Sequence, residues 1–303
     1  MKRFKGELIL LVTAVIWGTS FVAQSLGSDR VQVFTYSGVR NLIGALTLFI
    51  AVMLMGRRRK APDRAERRLL LRGGALCGAL LFVAMNAQQY AIALPGAGGE
   101  KALIGKVAFL TALYIVLVPV LGLFFGRKTS LRVWICVLTA TSGAYLLTVK
   151  GGMGKVSLGD AFALLCSVMY AFQIIAVDAY APKVDCIRLS MYQFAVCGAL
   201  SMICAFIFEQ PTLGAVYSAK WPLLYSGVMS SGVAYTLQMV GQKHTRPQIA
   251  SLIMSLESVF SALSGYVFLG QSMTSVELAG CALMFAAVVL TQLPLPERAS
   301  KNA

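Results

Sequence analysis

The sequence predicts an all-α membrane protein with ten transmembrane helices, arranged as two inverted five-helix repeats. Of the 303 residues, 58% are hydrophobic and only 13% are charged, whereas soluble domains carry about 25% charged residues. The apolar residues form long runs separated by short polar segments. A helix needs about 20 residues to span a bilayer core and a membrane β-strand only about 10, so these runs favour helices.

The apolar runs place the ten predicted helices along the chain and leave no room for a separate soluble domain. They cover residues 8–24, 31–55, 73–94, 103–125, 130–149, 158–180, 189–208, 221–243, 247–270 and 275–293. The basic residues before the first run are also compatible with a signal peptide. We expect a retained first helix instead, because the internal repeat described below requires it.

Lysine and arginine are concentrated in the loops on one side of the predicted membrane. With the N-terminus inside, the inner loops include the basic run 57–72. The outer loops hold Arg30, Lys101, Lys106, Lys150, Lys155 and Lys220. This asymmetry satisfies the positive-inside rule for a plasma (cell) membrane protein with both termini cytoplasmic. The net charge of +15 therefore reflects topology and we expect no nucleic-acid partner, although the run 57–72 could also bind anionic lipid head groups.

Matching residues occur in the same order in the two halves of the chain. The matches are Gly6-Glu7 with Gly159-Asp160, Trp17 with Tyr170, Gly78 with Gly232, Gln88 with Gln242, and Gly126 with Gly270. We therefore divide the chain into two repeats, residues 1–150 and 151–303. Because each repeat has an odd number of helices, the second should enter the membrane the opposite way up, as in secondary transporters.

Three strings in the predicted helices are distinctive. They are Ala14-Val-Ile-Trp-Gly-Thr-Ser-Phe21, Gly38-Val-Arg-Asn41 and Ala108-Phe-Leu-Thr-Ala-Leu-Tyr-Ile-Val-Leu-Val-Pro119, with weaker support from Tyr192-Gln193. They make nearly the whole chain resemble the drug/metabolite transporter superfamily, EamA type. The resemblance implies two inverted five-helix repeats that move small metabolites, often exporting amino acids or related compounds. Two features depart from the family: Arg127 and Gln271 stand where many members have Glu, and the loop at 95–105 is longer than usual.

Two charged residues lie near mid-depth in the predicted helices. Glu257 is about ten residues into the ninth helix and Arg40 about nine into the second. A charge at that depth costs roughly 2.5–3.5 kcal/mol on insertion scales, so both should face the protein interior or a water-filled cavity. Glu257 is either a substrate or proton site or the structural partner of an internal arginine. Arg40 either contacts substrate or has a structural or gating role, which the family resemblance favours, and the two can pair if their helices adjoin.

Four uncharged residues complete the predicted substrate-binding set by their depth: Trp17, Tyr114, Tyr235 and Gln238. A buried phenol, indole or amide in a bilayer must find a partner, so ordinary helix packing is the alternative for each. We expect no catalytic residue, metal or cofactor. The chain has one histidine and no Cys-x-x-Cys pair, and its acids are scattered singly.

The expected function is that of a secondary transporter that exports a small metabolite by alternating access between its two repeats. No Gly-x-x-x-x-Gly-Lys-Ser/Thr loop is present in the sequence, which argues against direct coupling to ATP. The expected partners are a small-molecule substrate, the lipid bilayer and, as a hypothesis, a coupling proton at Glu257. The alternatives are a flippase for a lipid carrier or small amphiphile and, less favoured, an intramembrane lipid-modifying enzyme.

Overall fold

Helices make up most of the structure. A computed structural model describes residues 2–55, 61–95, 104–126, 128–146, 157–270 and 273–292. The first half contains α1 (Lys2–Ser28), α2 (Val33–Met55), α3 (Arg64–Ala93), α4 (Ile104–Ala112), α5 (Tyr114–Phe124) and α6 (Leu131–Leu146). The second half contains α7 (Leu158–Tyr180), α8 (Cys186–Phe208), α9 (Leu213–Ser218), α10 (Lys220–Leu224), a π-helical stretch (Tyr225–Ala234), α11 (Tyr235–Gln242), α12 (Pro247–Met254), α13 (Glu257–Leu269) and α14 (Ser275–Gln292).

Each of the ten predicted spans is largely helical where the structure describes it. Among the described residues, seven helical segments are long and apolar enough to cross a membrane, and Leu131–Leu146 and Ser275–Leu290 are shorter apolar helices. The predicted span 221–243 is divided among α10, the π-helical stretch and α11. The prediction of an all-α membrane protein is confirmed, and the count of exactly ten crossings stays a prediction.

The distribution of polar and apolar side chains is the reverse of that in a soluble protein. Gln89, Gln173 and Gln193 are fully buried, whereas Phe124 and Leu54 are 84% and 78% exposed. Exposed apolar side chains suit contact with lipid, and polar groups inside a bilayer must be satisfied within the protein. The interior can therefore hold a polar site.

The two halves of the chain share one packed interior. α2 packs against α8, α3 against α7 and α8, α6 against α14, and α1 against α13. The largest hydrophobic cluster likewise joins residues of both halves, including Leu81 with Phe194 and Leu10 with Met254. A side chain in this shared interior can therefore contact residues of both halves.

Close approach between helices depends on glycine at several crossings. A Cβ atom on Gly78 would lie 2.7 Å from the backbone oxygen of Gln193 on α8, and one on Gly74 would lie 2.4 Å from Cβ of Tyr192. Real Cβ atoms do not approach other atoms so closely. Small residues at these positions allow the backbones of α3 and α8 to approach, as is common in membrane helix packing.

Polar side chains fasten the ends of several helices to one another. Ser157 and Asp160 form a reciprocal capping box at the start of α7, and Asp160 also makes a 2.8 Å ion pair with Lys106 of α4. Lys106, which the sequence places near a membrane interface, is therefore paired. The carboxylate of Glu209, at the end of α8, accepts hydrogen bonds from the backbone N–H groups of Phe34 and Thr35 at 2.8 and 2.7 Å, and from the Thr35 hydroxyl at 2.6 Å. These bonds tie the start of α2 to the end of α8.

Candidate functional site

A cavity in the interior brings together all six residues of the predicted site. Its lining consists of Trp17, Ser20, Phe21, Gln24, Arg40, Gln88, Tyr114, Tyr170, Gln173, Ile174, Ser230, Tyr235, Gln238 and Glu257. These residues come from α1, α2, α3, α5, α7, the π-helical stretch, α11 and α13. The prediction concerned substrate binding, which stays a prediction, but the geometry gathers its residues in one place.

The cavity is narrow in this conformation. Its volume is about 20 Å³, and a cavity needs roughly 10–15 Å³ to hold a single water. A metabolite of several heavy atoms therefore requires movement of side chains or helices before it can bind.

Tyr114 and Glu257 connect two interrupted helices across the cavity. The Tyr114 hydroxyl donates to Oε1 of Glu257 at 3.0 Å, and both residues are buried. Tyr114 begins α5 immediately after the end of α4, and Glu257 begins α13 shortly after the end of α12. Discontinuous helices near mid-membrane commonly form the binding sites of secondary transporters.

The interruptions arise from local tightening of the helical hydrogen bonds. The N–H of Leu113 donates to the carbonyl of Leu110, and the N–H of Leu256 donates to that of Ile253, so both bonds span three residues instead of four. Directly after α12, the Ser255 hydroxyl also donates to the Leu252 carbonyl at 2.8 Å. Serine bonds of this kind compete with the helical pattern and bend helices.

Arg40 is buried in the cavity wall without a partner for two of its nitrogen atoms. Its exposure is 1%, and neither Nε nor Nη1 has a hydrogen-bond acceptor in the described structure. The pairing with Glu257 that similar depth suggested is absent, because no acid of the described residues lies within the 4.0 Å ion-pair distance of Arg40. The reason is helix placement: α2 packs against α8 and the π-helical stretch, whereas α13 packs against α1 and α4.

The remaining predicted residues belong to two bonded pairs and an aromatic contact. The hydroxyl of Tyr235 donates to that of Tyr170 at 2.9 Å. The amide of Gln238 donates to Oε1 of Gln173 at 3.1 Å. The rings of Trp17 and Tyr235 are 4.6 Å apart between centroids, and the buried Nε1 of Trp17 has no hydrogen-bond partner in the part of the chain that the structure describes. The pairs position these groups around the cavity and satisfy part of their hydrogen-bonding capacity.

Sequence reasoning missed several lining residues, although signals for them were present. Ser20 and Gln24 follow Trp17 at spacings that place all three on one face of α1. Tyr170 is the repeat partner of Trp17, so a cavity role for one predicts the same for the other. Ser230 lies in the π-helical stretch, whose irregular geometry no pattern in the sequence indicated.

Comparison with known proteins identifies the family. The model of the EamA-like transporter family matches residues 4–149 and 157–293. The chain belongs to this family. The predicted resemblance is therefore confirmed, and family membership indicates a transporter and not an enzyme.

Relatives of this EamA-family chain are also named as transporters. An uncharacterized transporter of Archaeoglobus fulgidus is 26% identical, and the match covers 97% of this chain and 87% of the relative. The uncharacterized inner membrane transporter YedA of Escherichia coli is 23% identical over 94% of this chain and 89% of its own. The threonine/homoserine exporter RhtA of Salmonella typhimurium is 28% identical, over 55% of this chain and 56% of its own.

A solved crystal structure shares the fold of this EamA-family protein. It superposes with a TM-score of 0.76 at 18% sequence identity, over 95% of this chain and 96% of the other. At that identity the likeness supports the fold alone. The substrate must therefore be inferred from the residues of the cavity.

Proposed function

We propose that this EamA-family protein is a secondary transporter of the plasma membrane that exports small metabolites, such as amino acids, through the cavity. The observation that carries the proposal is the buried contact between Tyr114 and Glu257 at two helix interruptions, one from each half of the chain. Polar and charged side chains from both halves line the space beside it. A polar lining suits a polar metabolite better than the apolar chain of a lipid carrier, which disfavours the flippase alternative.

Alternating access follows if residues 1–150 and 151–303 are two inverted repeats, and the geometry supports that arrangement. Gly126 and Gly270, matched in sequence, both adopt the left-handed backbone conformation, with φ of 71° and 64°. The matched pair Trp17 and Tyr170 both line the cavity. Movement of one repeat against the other would open the narrow cavity to each side in turn. Superposition of the two halves after rotation about an axis in the membrane plane tests the symmetry.

Both termini are proposed to be cytoplasmic. Reporter fusions between Lys150 and Lys155 should read as external, and fusions after Glu297 as internal, because the basic loops then lie on the inner side. An external C-terminus would contradict the inverted-repeat arrangement.

Amino acids are the first substrates to test. RhtA is named as a threonine/homoserine exporter, and it matches about half of this chain. Cells with and without the protein should be compared for their released and retained metabolites, with threonine and homoserine measured directly. Faster release when the protein is present supports export. An unchanged metabolite profile contradicts it.

A proton is the proposed coupling ion, with Glu257 as its carrier. The Glu257→Gln variant keeps the size of the side chain but cannot exchange a proton. In proteoliposomes, transport driven by a pH gradient should fall at least tenfold, while exchange of substrate without a gradient continues. Because Arg40 and Glu257 are not paired, we expect normal yield of folded protein. Glu66→Gln is the matched control, since Glu66 lies outside the cavity and its contact with the Asp185 N–H needs only an oxygen acceptor. Unchanged pH-driven transport in Glu257→Gln would reject the coupling role.

A further inference from the structure

The guanidinium of Arg40 is the most incompletely satisfied charged group in the described part of the cavity wall. An arginine side chain stays protonated in proteins, so it cannot escape the cost of burial by losing its charge. Its Nε and Nη1 atoms are buried and have no acceptor, and no described acid is within ion-pair distance. A buried cation without a partner is costly, and such groups are normally paired. An anion from outside the described residues would satisfy this guanidinium.

Three pairs of other polar groups in the cavity partly satisfy one another, whereas Nε1 of Trp17 and the Ser20 hydroxyl have no partner among the described residues. Tyr235 bonds to Tyr170, Gln238 to Gln173, and Glu257 to Tyr114. None of these three hydrogen bonds uses the side chain of Arg40. Arg40 therefore has the strongest unmet hydrogen-bonding capacity in the cavity, and it is also the lining residue best suited to bind an anion.

We propose that Arg40 is the carboxylate-binding subsite of the cavity, so that the transported metabolites carry a carboxylate group. Guanidinium binds carboxylate through short, charge-assisted hydrogen bonds, often in a two-pronged geometry. This inference rests on the proposed transport function and specifies which part of the substrate the cavity recognises.

A carboxylate fits this position better than a phosphate group. Arg40 is the sole cationic side chain in the described cavity lining, and Glu257 is its sole acid. A phosphate dianion would bring two negative charges beside one cation, within a cavity that also holds Glu257. A monoanionic carboxylate balances Arg40, and it leaves Glu257 available for an ammonium group or a proton.

Competition between matched compounds tests this inference. Purified protein in proteoliposomes is assayed for exchange of radiolabelled threonine. Unlabelled 3-hydroxybutanoate, which keeps the carboxylate of threonine, and 1-amino-2-propanol, which keeps the amine, are the competitors. We expect 3-hydroxybutanoate to compete at least tenfold better in the wild type. Arg40→Gln should abolish that preference, and Arg40→Lys should restore part of it because it restores the cation.

Stability of the unliganded protein separates recognition from a structural role. As a carboxylate subsite, Arg40 has no acidic partner among the described residues, so Arg40→Gln should leave the melting temperature unchanged or raise it. Arg72→Gln is the control for loss of an arginine, because Arg72 is exposed on α3 and lies outside the cavity lining. A lower melting temperature in Arg40→Gln, with the competitor preference unchanged, would overturn the inference.

The outcomes also distinguish this inference from the proposed function. If Arg40→Gln exchanges threonine and keeps the wild-type competitor preference, the transport proposal survives and the carboxylate subsite is refuted. If the wild type exchanges neither threonine nor homoserine, the amino-acid proposal fails. The metabolites that cells release then decide: compounds with a carboxylate support the role of Arg40, and compounds without one refute it.

Discussion

The link from Glu209 to α2 provides a quantitative test of how the helix that carries Arg40 is anchored. The Glu209→Gln variant keeps one acceptor oxygen but replaces the other with an NH₂ group. If the remaining oxygen keeps the bond to Phe34, the NH₂ group faces Thr35. The bond from the Thr35 N–H at 2.7 Å is then lost, and the Thr35 hydroxyl, which donates to the carboxylate at 2.6 Å, must turn and accept from a neutral amide. Hydrogen bonds to a charged group contribute about 1.5–3 kcal/mol each. Since the site is only partly buried, we expect a total loss of about 2 kcal/mol after allowing for replacement by water.

That loss corresponds to a shift of roughly 30-fold in the unfolding equilibrium, since about 1.4 kcal/mol is tenfold. Reversible unfolding in mixed micelles, followed by tryptophan fluorescence, measures it. Asp63→Asn is the matched control, because Asp63 accepts from the Glu66 N–H at the start of its own helix and asparagine is also a favourable residue at that position. If the two variants lose equal stability, or Glu209→Gln loses none, the link between α8 and α2 does not have the proposed importance.

Three further variants test packing, backbone conformation and the ion pair. Gly78→Ala should destabilise by at least 2 kcal/mol, because overpacking typically costs about 1–3 kcal/mol and here the obstacle is a backbone oxygen 2.7 Å away; Gly214→Ala, with nothing within 4 Å, should be tolerated in the same unfolding assay. An alanine side chain at Gly270 would also meet open space, but the backbone there has a φ of 64°. Gly270→Ala should therefore lower the free energy of unfolding by about 1–2 kcal/mol through conformation alone. An effect equal to that of Gly214→Ala would contradict this. Lys106→Met should lower the free energy of unfolding by less than about 1 kcal/mol, because the paired side chains of Lys106 and Asp160 are 34% and 12% exposed. A double-mutant cycle with Asp160→Asn measures the coupling energy of the pair. A larger coupling energy would be inconsistent with a weak, partly exposed pair.

The helical framework and the polar residues of the site could be predicted because the bilayer constrains both. Apolar runs of about 20 residues have few alternatives to helix in a membrane. The same cost of burying a charge predicted that Glu257 and Arg40 face the interior, and both line the cavity. Depth alone was therefore enough to find them.

Depth could not show which residues are neighbours. Arg40 and Glu257 lie at similar predicted depths but on helices that pack against different partners. Glu257 instead contacts Tyr114, and that contact depends on how a span of the first half packs against a span of the second half. The interruptions at Leu113 and Leu256 were equally hidden, because neither position is a proline or glycine. They depend on tertiary packing and on local serine bonds that sequence periodicity does not report.

In the proposed transport cycle, Glu257 would take part in both binding and helix movement. Its carboxylate lies at the N-terminus of α13, where the helix dipole favours negative charge, and it accepts a hydrogen bond from the first residue of α5. The next residue, Ser258, donates to the carbonyl of Ala108 in α4 at 3.3 Å. A proton or ligand that changes the bonding of Glu257 must therefore alter the junction between two interrupted spans, one from each half. Because the cavity is too narrow for a metabolite in this conformation, entry of substrate and rearrangement of that junction should occur together.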